Sequence, residues 1–101
     1  DILTAIISKE ILKEKPKSKI VYDLRCSKVV REIIEKYGGE AIKSRVGHYF
    51  IKKLMHEVDA EFAGELSNHF YFKEIGTFES PLLALEYLLK AMEDEGKTLS
   101  E

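Results

Sequence analysis

Six residues from Gly64 to His69, GELSNH, hold an acid, a hydroxyl, an amide and an imidazole between the apolar segments AEFA and FYF. A tight reversal of the chain needs only two residues, so this connection carries more polar chemistry than a turn requires. Glu65 can accept hydrogen bonds from two adjacent hydroxyls, and Ser67 can both donate and accept. Two more polar groups stand apart in sequence. Arg25 is a permanent cation suited to phosphate or carboxylate. His48 follows Gly47 where a helix is expected to begin, and the exposed N–H groups of a helix start favour an anion. Together these types suit a neutral, hydroxyl-rich ligand that carries an anionic group.

The elements that must position them follow from periodicity. Leu3, Ile6, Ile7 and Ile11 fall at helical spacing from Ile2 to Lys15, and Pro16 ends that helix. Lys19 to Arg25 (KIVYDLR) is rich in β-formers and predicts a strand. Ser27 is placed to cap a helix carrying Val29, Val30, Ile33, Ile34 and Tyr37, which Gly38-Gly39 terminates. Glu40 to Val46 predicts a second strand. His48 to Val58 predicts a helix through Phe50, Ile51, Leu54, Met55 and Val58. Ala60 to Ala63 and His69 to Ile75 predict a third and a fourth strand. Ser80 then caps a last helix, with Pro81 at its first position and Leu82, Leu85, Leu88, Leu89 and Met92 along it.

The order α-β-α-β-α-β-β-α predicts a single α/β domain over residues 1–101. Its mixed four-stranded sheet is mostly parallel with the last strand antiparallel, and helices cover both faces. Ligands of open α/β sheets sit beyond the carboxyl ends of the parallel strands. Arg25 follows the first strand, Gly47-His48 the second and Glu65 the third. Three polar positions far apart in sequence are therefore expected on one edge.

Each also has an ordinary reading. An Arg at a strand end is commonly a solvated surface residue, and His48 can be an exposed first-turn residue. Glu65 and Ser67 can be plain loop residues, with Ser67 bonding its own backbone. His69 can be a structural group at the start of a strand.

Composition removes several function classes. With 101 residues, 45% hydrophobic and 34% charged, the chain has the size of one domain and can bury a core without a disulfide or metal staple. A net charge of −2 with interspersed signs gives no basic footprint for nucleic acid. Neither a signal peptide nor a membrane span is expected, since no run approaches ~18 apolar residues. The single cysteine, Cys26, points to a reducing, cytoplasmic setting. Glu57, Asp59 and Glu61 read as a solvated acidic surface. His48 and His56 lack a third ligand, so no metal site is expected. There is no GxSxG elbow, and Cys26 has no evident base. The start at Asp-Ile-Leu-Thr, without Met, fits removal of an initiator Met, and that start and the polar GKTLSE end fit a domain cut from a longer protein equally well.

GELSNH resembles the GEMSGH loop of the α-D-phosphohexomutases, the phosphomannomutase/phosphoglucomutase enzymes. VYDLRCSKVVREIIEKYGGEAIKSRVGHYFIKKLM is similar to the family stretch in which a strand ends in a basic residue and Cys, a helix runs to Gly-Gly, and a Thr/Arg-x-Gly-His turn opens a basic helix. HFYF resembles the aromatic strand after the loop. The likeness runs from Ile20 to Leu89. It implies the third, sugar-recognising domain of a four-domain enzyme that interconverts hexose 1-phosphate and hexose 6-phosphate. Phosphoryl transfer would pass through a bisphosphosugar and a phosphoserine. By resemblance, Glu65 and Ser67 would bond the sugar's 3- and 4-hydroxyls. Arg25 and His48 would contact substrate in the cleft, and His69 would orient the loop. The family's phosphoserine, Mg²⁺-binding aspartates and main phosphate loop belong to other domains, so no catalytic residue and no cofactor are expected here.

Two departures stand out. Asn68 replaces the loop's usual Gly, and Asn tolerates a left-handed backbone well. Phe78-Glu-Ser-Pro81 replaces an Asp-Asp-Gly before the last helix. The implied partners are hexose phosphates of mannose or glucose and the other domains of the parent chain, with no nucleic acid and no membrane. Two alternatives stand beside this reading. One is a free-standing α/β binding or regulatory module, and the other is a small phosphotransfer enzyme using His48 or His69 as nucleophile.

Overall fold

The computed structural model describes residues 2–26, 28–66, 69–76 and 78–100. Its elements are α1 (Ile2–Glu14), β1 (Lys19–Asp23), α2 (Lys28–Lys36), β2 (Glu40–Ser44), α3 (His48–Val58), β3 (Phe62–Gly64), β4 (Phe70–Phe72), a 3-10 turn (Lys73–Ile75), β5 (Phe78–Glu79) and α4 (Pro81–Ser100). The sheet order is β2-β1-β3-β4-β5. β2, β1 and β3 run parallel, and β4 is antiparallel to β3.

β1 is the hub because it is apolar on both sides. Ile20 through Asp23 are all buried, as a central parallel strand covered on two faces demands. On one face Ile7, Ile11 and Leu12 of α1, Val30 and Ile34 of α2, and Tyr87 of α4 close over the sheet residues Ile20, Phe62 and Phe72. Phe72 and Tyr87 stack with ring centres 5.7 Å apart. On the other face α3 stands alone, setting Ile51 and Met55 against Val21, Ala63 and Tyr71. At about 1.5–3 kcal/mol for each large side chain fully buried, α3 is anchored mainly by those two.

α1 reaches β3 because Gly64 has no side chain. A Cβ there would lie 2.5 Å from Thr4 Cγ2 and Oγ1. Among the described residues Thr4 Oγ1 has no hydrogen-bond partner, so that contact is steric alone.

Helices cover both faces as expected, and the boundaries differ for local reasons. β1 stops at Asp23 instead of Arg25, since the Asp23 carboxylate accepts from Arg25 N at 2.8 Å and bends the chain into an Asx turn. β2 likewise ends at Ser44, whose carbonyl accepts from Leu24 N at 3.0 Å. β3 begins at Phe62, because Ala60 N is spent on Met55 O at the end of α3. β4 ends at Phe72, where the 3-10 turn closes on Gly76 at φ 79. β5 joins as a fifth strand, antiparallel to β4, which two residues could not announce by alternation. α4 runs past Met92 to Ser100, because Gly96 costs only about 1 kcal/mol relative to Ala inside a run of good helix formers. Ser80 caps α4 as expected, its Oγ accepting from Leu83 N at 3.0 Å. The expected cap at Ser27 lies outside the described residues. No helix among them is long and apolar enough to cross a membrane.

Candidate functional site

From β1 the chain steps through α2 to β2 on one side, then through α3 back across to β3 on the other side of β1. The loops leaving β1 and β3 therefore diverge at adjacent strand ends. That is the reversal point where open α/β sheets leave a crevice.

Asp23 organises this point. Its side chain is fully buried, and both carboxylate oxygens are used. Oδ1 accepts from Arg25 N, while Oδ2 accepts from Arg25 Nη2 at 3.0 Å and from Leu66 N at 3.1 Å. One carboxylate thus ties the loop after β1 to the loop after β3, across 43 residues of sequence. Burial pushes the Asp23 carboxyl up, but the Arg25 guanidinium and the two backbone N–H groups outweigh it, and the net shift is downward. The same ion pair raises Arg25. Burial, with the Asp23 charge beside it, also pushes the Cys26 thiol up, so Cys26 is held away from its thiolate.

Glu65 is the second buried carboxylate of the edge. Its Oε1 accepts from Tyr71 Oη at 2.7 Å, and its Oε2 lies 4.0 Å from Arg25 Nη2. Tyr71 rises from β4 on the α3 side of the sheet, so a core residue sets the angle of the loop's acid. The loop is closed at its base by Glu65 N donating to His69 O at 3.0 Å.

The expected residues fall as follows. Arg25 and Glu65 are brought together, with Asp23 between their loops. His48 begins α3 on the same edge, exposed, behind Gly47 at φ 117, and among the described residues no hydrogen bond or ion pair joins it to Arg25 or Glu65. His69 is exposed and holds the loop base through its main chain. Ser67 and Asn68 lie outside the described residues. Asp23 and Tyr71 were missed. Asp23 had a signal, an acid closing an apolar strand two positions before a basic residue. Tyr71 had none, because alternation assigns it to the face opposite Phe70 and Phe72 without saying that both faces are covered.

Glu57, Asp59 and Glu61 form no ligand cluster. Lys73 pairs with Asp59 at 2.8 Å and Glu61 at 3.6 Å, and Lys15 pairs with Glu61 at 3.2 Å. Among the described residues no group of three His, Cys, Asp or Glu could hold a metal ion. Two grooves lie apart from Arg25 and Glu65. One of about 640 Å³ runs between α1 and α4, and one of about 260 Å³ lies beside β2 and α3; neither is lined by Arg25 or Glu65.

Comparison with known proteins shows the family. The family model described as "Phosphoglucomutase/phosphomannomutase, alpha/beta/alpha domain III" matches residues 1–101. The chain belongs to this family, as its domain III. A phosphomannomutase of Methanocaldococcus jannaschii is 85% identical over 101 residues, covering 100% of this chain and 22% of that protein. A phosphomannomutase/phosphoglucomutase of Pseudomonas aeruginosa is 36% identical over 74 residues, covering 73% of this chain and 16% of that protein. The crystal structure of a phosphoglucomutase/phosphomannomutase family protein from Burkholderia thailandensis superposes with a TM-score of 0.79 at 28% identity, over 89% of this chain and 20% of that one. This domain III therefore spans about a fifth of the length of the relatives it matches.

Proposed function

We propose that this domain reads the sugar in a phosphohexomutase that interconverts hexose 1-phosphate and hexose 6-phosphate, with mannose and glucose as the substrate class. The observation that carries the reading is the Asp23 bridge between the Arg25 loop and the loop of Glu65 and Leu66 at the sheet's reversal point. A carboxylate held by Tyr71 on one oxygen can accept a sugar hydroxyl on the other, with the Arg25 cation 4.0 Å away to favour an attached phosphate. Ser67, Asn68 and His69 would complete the hydroxyl contacts, and His48 would contribute from the start of α3. Buried polar groups that expect particular hydroxyls discriminate strongly, because a sugar lacking one leaves them unpaired.

Phosphoryl transfer itself would take place on groups of other domains, through a phosphoserine and a bisphosphosugar. The residues here do not fit Mg²⁺, since Asp23 is committed to Arg25 and Leu66 and Glu65 to Tyr71. This domain would supply orientation, in a cytoplasmic enzyme.

An amide chemical-shift titration with mannose 1-phosphate, repeated with glucose 1-phosphate, tests the reading. Shifts are expected at Arg25, Gly47, His48 and Gly64 to His69. Shifts centred on α1 and α4 would overturn the residue assignment.

A further inference from the structure

α4 is apolar on two faces, and only one of them is packed. Ala84 and Tyr87 are buried against the sheet. On the opposite side Leu82, Leu85, Leu89 and Met92 are 76%, 51%, 54% and 68% exposed. Their 3-4-3 spacing draws one continuous seam along the helix, the pattern that a second helix packs against. Single exposed leucines need no explanation, but a contiguous stripe does.

The stripe continues into the groove between α1 and α4, where Met92 meets Leu3, Ile6, Leu88 and Ala91. Glu10 lines the same groove and is almost wholly buried. Its Oε1 has no hydrogen-bond partner among the described residues, although Lys13 holds Oε2 at 3.1 Å. Exposed Glu86 and Glu93 flank the seam. The surface is thus an apolar seam with Glu86 and Glu93 along one border and a groove of mixed charge, Lys9 and Lys13 beside Glu10, Asp94 and Glu95, along the other. It asks for an apolar segment with a basic group for Glu10.

We propose that a helix of another domain of the same polypeptide docks on this face, its apolar side along Leu82, Leu85, Leu89 and Met92 and a basic side chain directed at Glu10. The inference rests on the reading above, that the domain works within a longer mutase. Two observations favour a tethered occupant over a second copy of the domain. The 85%-identical relative holds this sequence within a chain of which it is only 22%. The four exposed side chains by themselves also offer less than a free dimer buries. Even if each side chain offered the ~250 Å² of a large aromatic, four at these exposures would fall short of the about 800 Å² per partner that stable free association needs. A covalently linked domain needs less, because the linker supplies the effective concentration.

The test is the double substitution L85S/L89S in the complete polypeptide and in this 101-residue chain. In the complete polypeptide, limited proteolysis between domains should quicken by about tenfold or more, while the urea midpoint of the 101-residue chain stays unchanged. Unchanged proteolysis in a polypeptide with intact mutase activity would overturn the docking face and leave the functional reading standing. Quickened proteolysis in a polypeptide without hexose-phosphate mutase activity would sustain the docking and sink the reading. A 101-residue chain that sediments as a dimer, and as a monomer once substituted, would overturn the proposal in favour of a second copy.

Discussion

Replacing Asp23 by Ala removes the acceptor for three donors at once. The Arg25 guanidinium is partly exposed and exchanges its bond for water. The backbone N–H groups of Arg25 and Leu66 are the larger loss, at about 1–3 kcal/mol for each donor left unpaired. Against this, the variant no longer buries a carboxylate, and the recovered desolvation offsets part of the cost. The expected net loss is about 2–4 kcal/mol. For a chain of this length that lowers the melting temperature by roughly 10–30 °C. Urea denaturation should show a lower midpoint with an unchanged slope, because the variant exposes the same surface on unfolding. Hydrogen exchange at the Leu66 amide should accelerate more than at β1 amides, since that N–H loses the Asp23 acceptor. A stability loss below about 1 kcal/mol, together with an unchanged Leu66 amide, would refute the view that one carboxylate ties the two loops.

The same carboxylate gives a pH signature. Its folded pKa is depressed, so its stabilisation is fully present above the unfolded value of about 4 and is lost as pH falls through the folded value. Thermal melts from pH 6 to pH 2 should therefore fall more steeply for the wild type than for Asp23→Ala, and the two curves should converge in acid. Gly64→Ala should destabilise by about 1–3 kcal/mol, because the new Cβ meets the Thr4 side chain at 2.5 Å. Thr4→Ala should recover much of that in the double variant, and additive losses would deny the contact. Tyr71→Phe should cost about 1.5–3 kcal/mol in a denaturation series by taking the hydroxyl from Glu65. It should also broaden or shift the Glu65 and Leu66 amides, and unaltered loop resonances would show that Tyr71 does not set the loop.

The architecture was legible because its signals are local and strong. KIVYD, the Val30/Ile34 stripe, the double glycine and Ser80-Pro81 each state an element by composition or period alone. What escaped was set by contacts distant in sequence or by very short pairing. β5 has two residues and exists because β4 offers an edge. Asp23 reads as a polar strand end until Leu66, 43 residues later, is seen to donate to it. Tyr71 looks like one half of an alternation, and only the presence of α3 makes its face a core. The site was legible in part. Arg25 and Glu65 could be placed on one edge from strand order, but their coupling depends on those two unseen residues.

The stretch from Glu65 to His69 is fastened from three directions. Tyr71 grips the first side chain, Asp23 takes the next main-chain N–H, and the hydrogen bond from Glu65 N to His69 O shuts the base. Among the described residues these contacts come from β1, from β4 and from the residue that precedes β4. The mount is thus assembled from β1, β4 and main chain. An engineer altering this edge would leave Asp23 and Tyr71 in place, because each holds part of the frame.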